Sequence, residues 1–382
     1  MTGVQTCALP ILRAGGAAAT TANGASLNFA AALSGVSSTL NIDQSVPGTT
    51  NAFRNLTINR TSGNVTLSGD IILANALTMT AGTLTLGSNT LTLNSVVNGS
   101  STITGSATSN IIVGSSGALG SLSFTTGART LNNFTVLNAG ASASLGSALS
   151  VTGTLTLGGI VTTGINTLTA VAGSVTATTG WVNGKLQLSV TPSTVAFPIG
   201  DATNYTPVTL VISSGTGTFT ANTTVPGVPP AAGNTPAGSG ISQTKYINRN
   251  WTLSTTIGSP SYSAQFTYID PADVVGSANT SALIVGQNNG GTWSNPGVAT
   301  SVSPSVTTVT GLTTTGIFSL GETNCIVPTA LTYTSNTVTY CKDVLITTPN
   351  TASYTGTTPG TYTGTLPTGL TLNSSKIGRA HV

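Results

Sequence analysis

Residues 77–93 read LTMTAGTLTLGSNTLTL, and the spacing inside this stretch decides the fold. The triplets Leu77-Thr78-Met79, Leu84-Thr85-Leu86 and Leu91-Thr92-Leu93 recur every seven residues. A seven-residue repeat can mark a coiled coil, whose seam needs apolar residues three and four apart. Here they sit two and five apart, with Gly and Thr between them. A spacing of two puts both apolar side chains on one face of a strand and the intervening Thr on the other. Ala81-Gly82-Thr83 and Gly87-Ser88-Asn89-Thr90 are then predicted to be tight corners, where Gly and Asn tolerate positive φ.

The pattern also returns at longer range. Phe53-Arg54-Asn55-Leu56-Thr57-Ile58 is echoed by Leu131-Asn132-Asn133-Phe134-Thr135-Val136, and residues 77–94 are echoed by 149–170. Self-similarity of this kind favours stacked turns over a globular sandwich. Residues 12–184 are therefore predicted to form a β-solenoid resembling a parallel β-helix, with serial hairpins as the alternative. Charges here are few and scattered: Asp43, Asp70, Arg13, Arg54, Arg60 and Arg129. A polysaccharide lyase or hydrolase needs such groups clustered in a groove. Solvated single charges are the expectation.

From residue 185 the triplet rhythm stops, and prolines and aromatics become more frequent. Residues 197–200, 205–212, 249–253, 262–268, 282–286 and 292–294 read as strands, and 226–243 as a long Pro/Gly/Ala-rich loop. Gln287-Asn288-Asn289-Gly290-Gly291 is a hairpin signal, since Asn-Gly suits a type I′ turn. Short strands separated by turns predict a β-sandwich over 185–322. Trp181, just before it, and Trp251 and Trp293 within it are either core anchors and edge residues or a sugar-stacking surface. Core packing is the expectation, because large aromatics dominate small β cores. Trp181 and Trp293 remain the candidate glycan contacts. Asp270 and Asp273 bring two carboxylates within four residues, short of the six to eight oxygens that calcium takes. A plain turn is the expectation there.

Cys325 and Cys341 lie in the last region, residues 323–376, without a histidine nearby to complete a zinc set. They form either a disulfide or two buried thiols, and a near-uncharged, sheet-rich surface protein favours the disulfide.

Residues 328–333 (PTALTY), 338–341 (VTYC) and 365–373 (TLPTGLTLN) resemble the immunoglobulin-like repeats of bacterial surface proteins. FPIG at 197–200, YTPVTL at 205–210, RNWTLS at 249–254 and GIFSLGE at 316–322 resemble the sheet domain that often follows β-strand repeats. The group so resembled is the large secreted proteins of the Bacteroidota, typically exported by the type IX system. The resemblance implies an extracellular or outer-membrane-attached location and a structural or adhesive role. It also implies that 323–376 is a truncated Ig-like module.

The two ends read differently from the rest. Residues 6–11, TCALPI, can be encoded by ACG TGT GCT CTT CCG ATC. Shifted by one base, the reverse complement encodes IGRAHV, the sequence of residues 377–382. Residues 1–11 and 377–382 thus resemble translated sequencing adapter. The expectation is an internal fragment whose Cys7, Arg379 and His381 are not native.

Charged residues make up 4% of the chain, against roughly 25% in ordinary soluble domains. Ten Lys and Arg against seven Asp and Glu leave little net charge, so nothing argues for nucleic acid as a partner. No run of about 18 apolar residues appears, so no membrane-spanning segment is predicted. With His381 set aside, no Ser-His-Asp or Cys-His set can be assembled. Gly184-Lys185 is followed by Leu186, which fails the phosphate-loop pattern, and Glu322 is the lone glutamate between the two ends. No cofactor is expected. The reading is a non-enzymatic structural or adhesive region, with surface glycans or other cell-surface proteins as partners. A carbohydrate-binding accessory region of a larger secreted enzyme is the alternative, and a β-helical lyase a weaker third.

Overall fold

The computed structural model describes residues 52–225, 240–296 and 305–323. It also gives strand positions at Leu27–Phe29, Ser38–Leu40, Ala299–Ser303, Thr329–Tyr333, Ala352–Thr355, Thr371–Leu372 and Ala380–His381. Every regular element among these residues is a strand. The chain divides into two compact units, Met1–Glu322 and Thr323–Val382. In the second unit, Thr329–Tyr333 pairs antiparallel with Ala352–Thr355. Cys325 and Cys341 lie outside the described residues, as do Arg13 and Asp43.

The first unit opens as a parallel β-solenoid of about seven turns. The triplets of the opening stretch are the three walls of one turn. Leu77–Met79 stacks on Leu56–Ile58, Leu84 on Val65, and Leu91–Leu93 on Ile71–Leu73. Side chains at alternate positions point inward, so a seven-stranded parallel sheet carries two internal columns. One runs Ile71, Leu91, Ile111, Phe134, Leu155; the other runs Leu73, Leu93, Val113, Val136, Leu157, and all ten are buried. Each fully buried aliphatic or aromatic side chain contributes about 1.5–3 kcal/mol relative to exposure. The solenoid core is a stack of such columns.

The turn length is 20–23 residues, read from the stacking of Ile71, Leu91, Ile111, Phe134, Leu155 and Val175. The long-range echoes in the sequence are therefore not turns in register. Phe53 stacks on Leu73 in the seven-stranded sheet, whereas its echo Leu131 stacks on Val151 in the other sheet. Leu77 stacks on Val97, and its echo Leu149 on Leu168 of a different wall. All three walls use the same apolar-Thr-apolar triplet, so sequence similarity alone does not tell one wall from another. The corner at Ala81-Gly82-Thr83 is also softer than the sequence suggested: Leu77–Thr85 stays one strand, with a register shift against Leu56–Leu67.

Adjacent turns approach closely. At Gly99 (φ 94°), an added Cβ would sit 2.1 Å from the carbonyl oxygen of Met79 in the turn below. Polar side chains stitch the same stack together. Asp70 Oδ1 accepts the Thr90 amide (2.6 Å), Asn110 Oδ1 accepts the Asn133 amide (3.2 Å), and Asn133 Oδ1 accepts the Thr154 amide (2.8 Å).

The strand Val182–Val190 joins two architectures. Along one edge it pairs in parallel with Ile160–Val171, the last full solenoid turn. Along its other edge, Leu186–Val190 pairs antiparallel with Gly217–Ala221. An open solenoid end is a row of unpaired backbone groups, and this antiparallel neighbour covers it.

Beyond it, two antiparallel sheets face each other. One runs Ser193–Phe197, Val208–Ser214, Ser261–Thr267, Val306–Leu312, Ala299–Ser303. The other continues from Gly217–Thr224 to Ile241–Thr255, Gly316–Thr323, Leu283–Asn289 and Thr292–Ser294. Aromatic rings fill the space between them. Trp251 and Phe318 each lie against Phe266, with centroids 5.1 and 5.0 Å apart, and Phe219 meets Tyr262 edge-on at 5.1 Å. The hairpin turn falls one residue later than the sequence suggested. Asn289 pairs with Thr292, which leaves Gly290 and Gly291, both at positive φ, as the two central residues. A type I′ turn asks for positive φ at both positions, and two glycines meet that demand at least steric cost. The long loop expected at 226–243 lies mostly outside the described residues, and Ile241 already belongs to a strand.

Candidate functional site

The polar faces of the solenoid are nearly charge-free. On the outer side of the seven-stranded sheet one column runs Ile72, Thr92, Ile112, Thr135, Thr156. On a second wall, the Thr102 and Thr104 hydroxyls both meet Thr125 Oγ1, at 2.7 and 3.0 Å. These stretches offer hydroxyls and methyls, with no acid or base among these residues.

Arg60 departs from the expected set of solvated charges, being only 1% exposed. The reason is parity. Leu56 and Ile58 point inward, and the period of two carries Arg60 to the same side. That signal was present in LTINR, where the inward positions are Leu56, Ile58 and Arg60. Arg54 and Asp70 are exposed, while Arg129 is partly buried and donates to Thr126 Oγ1 at 3.2 Å. Among the described residues no three His, Cys, Asp or Glu side chains group as metal ligands.

The main polar cluster is structural in its connections. Arg249 is fully buried and donates Nε–H to Asp273 Oδ2 (2.8 Å) and Nη2–H to Asp273 Oδ1 (3.1 Å). Nη2 also donates to Asp201 Oδ2 (2.8 Å), and Nη1 to the hydroxyls of Thr206 (3.2 Å) and Thr223 (3.4 Å). Asp273 Oδ2 further accepts the Ile269 amide at 2.8 Å. The Asp270–Asp273 turn therefore does not assemble a calcium pair, since Asp273 faces Arg249 while Asp270 is exposed. Sequence reasoning missed Arg249 because its two carboxylates lie 48 and 24 residues away along the chain.

Asp201 links this cluster to the surface. Its Oδ1 accepts the amides of Thr203 and Asn204, both at 2.8 Å. Burial alone pushes its carboxyl up, but those two amides and the Arg249 guanidinium outweigh that and hold the pKa at about 2. The backbone carbonyl of Asp201 accepts Trp181 Nε1–H at 2.7 Å. The half-buried Trp181 ring lies 6.0 Å from Tyr205, tilted 37°, and Tyr205 is 43% exposed. Gly200 lies directly against the indole, where a Cβ would come 2.7 Å from Trp181 Cδ1.

The three tryptophans thus have different environments. Trp251 is core, as expected. Trp293 is half-buried on the short outer strand of the hairpin, opposite Asn288, with no ring partner among the described residues. Trp181 forms an aromatic pair with Tyr205, a residue the sequence did not single out. The two candidate glycan contacts are not brought together as one platform.

A separate groove of about 460 Å³ lies beside the strand Val182–Val190. Its lining includes Val171, Ser189, Thr191, Ser193, Thr194 and Thr216, with no charged or aromatic side chain. Its size suits a small ligand. Its chemistry supports hydrogen bonding but not proton transfer.

No family model, curated protein or solved structure matches this chain. No helix among the described residues is long and apolar enough to cross a membrane.

Proposed function

We propose that the chain is a non-enzymatic structural and adhesive region of an extracellular or outer-membrane-attached bacterial surface protein. The observation that carries this reading is the seven-turn solenoid whose threonine-lined outer walls bear almost no charge and run without a break into a sandwich. A parallel stack rises about 4.8 Å per turn, so its turns and the following sandwich make a stiff spacer. Among the described residues the charges that cluster are paired, Arg249 with Asp201 and Asp273, and Lys245 with Glu322 at 3.6 Å. The resemblance to secreted β-strand-repeat proteins of the Bacteroidota supports the location.

The test uses the full chain immobilised on beads and challenged with glycan-coated and protein-coated surfaces, alongside incubation with acidic polysaccharides. Attachment without turnover is the expected result. Release of unsaturated or reducing sugar ends would overturn the non-enzymatic part, and beads that hold to no surface would overturn the adhesive part.

A further inference from the structure

We infer that Trp181 and Tyr205 form a subsite for one neutral saccharide ring, an inference that rests on the adhesive reading above and names its ligand. An aromatic pair that serves only as packing should be covered, as Trp251 and Phe266 are. This pair is left open, with Tyr205 43% exposed at the rim. A pyranose presents an apolar C–H face that covers such a ring and a hydroxyl edge that needs hydrogen bonds. The turn beside the rings is polar: the exposed Thr203 hydroxyl donates to Asp201 Oδ1 (3.1 Å) and accepts from Asn204 Nδ2 (3.0 Å), and the side-chain oxygens of both residues have the lone pairs to accept a sugar hydroxyl. Trp and Tyr give large contact area at low conformational cost, which is why they concentrate at binding hot spots.

The pair is also held in place before any ligand arrives. Trp181 cannot rotate freely, because its Nε1–H is committed to the Asp201 carbonyl and its flank abuts Gly200. The backbones of Gly200 and Tyr205 form an antiparallel bridge, which fixes one ring relative to the other. Asp201 anchors the turn to Arg249, which is buried between the strands of the sandwich. Preorganisation of this kind lowers the ordering cost of binding.

Charge selects the ligand class. The carboxylate nearest the rings, Asp201, spends its oxygens on Arg249 and on the amides of Thr203 and Asn204. Neither an acidic sugar nor a quaternary ammonium finds a free countercharge there. A neutral ring loses nothing by that.

The experiment measures binding of the full chain to neutral cello-, xylo- and manno-oligosaccharides, with oligouronides and choline as comparators. Binding of at least one neutral series is expected. Tyr205→Ala should weaken it by roughly tenfold or more, and Tyr205→Phe should retain most of it. Trp181→Ala should act similarly, with its folding checked by hydrogen exchange in the solenoid. No binding of any neutral series overturns the inference, as does equal binding by wild type and Tyr205→Ala. Binding confined to oligouronides or to choline also overturns it. Bead attachment that survives Tyr205→Ala sinks the subsite and leaves the adhesive reading standing, so the two failures are distinguishable.

Discussion

Arg249 grips both oxygens of Asp273, through Nε at 2.8 Å and Nη2 at 3.1 Å, with the arginine side chain wholly removed from solvent. A buried pair of this geometry is costly to break on one side only, because the remaining charge keeps its desolvation without its partner. It joins the strand Ile241–Thr255 to the Asp270–Asp273 turn, and through Asp201 to the rim beside the solenoid end.

Asp273→Asn should destabilise the first unit, by less than the ~3–5 kcal/mol of a wholly unpaired buried charge, because Asp201 still holds Arg249 at 2.8 Å. Arg249→Lys should also be destabilising, since an ammonium cannot replace the two-pronged contact. Urea unfolding followed by tryptophan fluorescence would check both. A wild-type midpoint in Asp273→Asn would show that the pair is not holding these strands.

Acid should act through Asp201. Its folded pKa of about 2 lies below the roughly 3.9 of an unfolded aspartate. A lowered folded pKa means its stabilisation is complete above the unfolded value and lost as pH falls from about 4 through 2. Asp201→Asn should be less stable at neutral pH and lose less than the wild type across that window. Chemical denaturation at a series of pH values would measure it, and parallel curves for the two proteins would refute it.

Gly99→Ala should be strongly destabilising, because the new methyl meets the Met79 carbonyl at 2.1 Å and φ is +94°. About 1–3 kcal/mol is expected from the backbone strain alone, with the clash adding to it. Gly69→Ala, where nothing lies within 4 Å of the added Cβ, should be close to neutral. Thermal melts of the two variants compare a close approach between turns with an open corner.

Leu188→Pro should damage both architectures at once. Leu188 pairs with Ala170 in the solenoid and with Phe219 in the sandwich. Proline removes a backbone donor in a central strand, where it is rarely tolerated. Hydrogen exchange should accelerate in Ile160–Val171 and in Gly217–Thr224 together. Acceleration on only one side would mean that the shared strand does not couple them.

Much of the fold was legible because it rests on local spacing. The apolar-Thr-apolar triplet gives period two, which specifies a strand and its buried face before any partner is known. Hence the inward direction of Leu77, Met79, Leu84, Leu86, Leu91 and Leu93 followed from LTMTAGTLTLGSNTLTL, although the first two triplets share the one strand Leu77–Thr85. The grouping of triplets into turns was not legible. Three identical walls give the same local pattern, and only backbone pairing shows that Leu77 stacks on Val97 while Leu149 stacks on Leu168. The aromatic pair was half legible. Trp181 stood out by residue type, but Tyr205 joins it only because Gly200 and Tyr205 bridge across a turn.

The sequence by itself thus determined strands with a buried apolar face and a threonine-rich outer face, in a chain with few charged residues. Those properties follow from composition and from neighbours a few residues apart. Tertiary structure decided the turn length, the shared strand Val182–Val190 and the burial of Arg249 between Asp201 and Asp273. Each of these depends on contacts between residues about 20 or more positions apart, where closing the chain, not its local preference, sets what meets what.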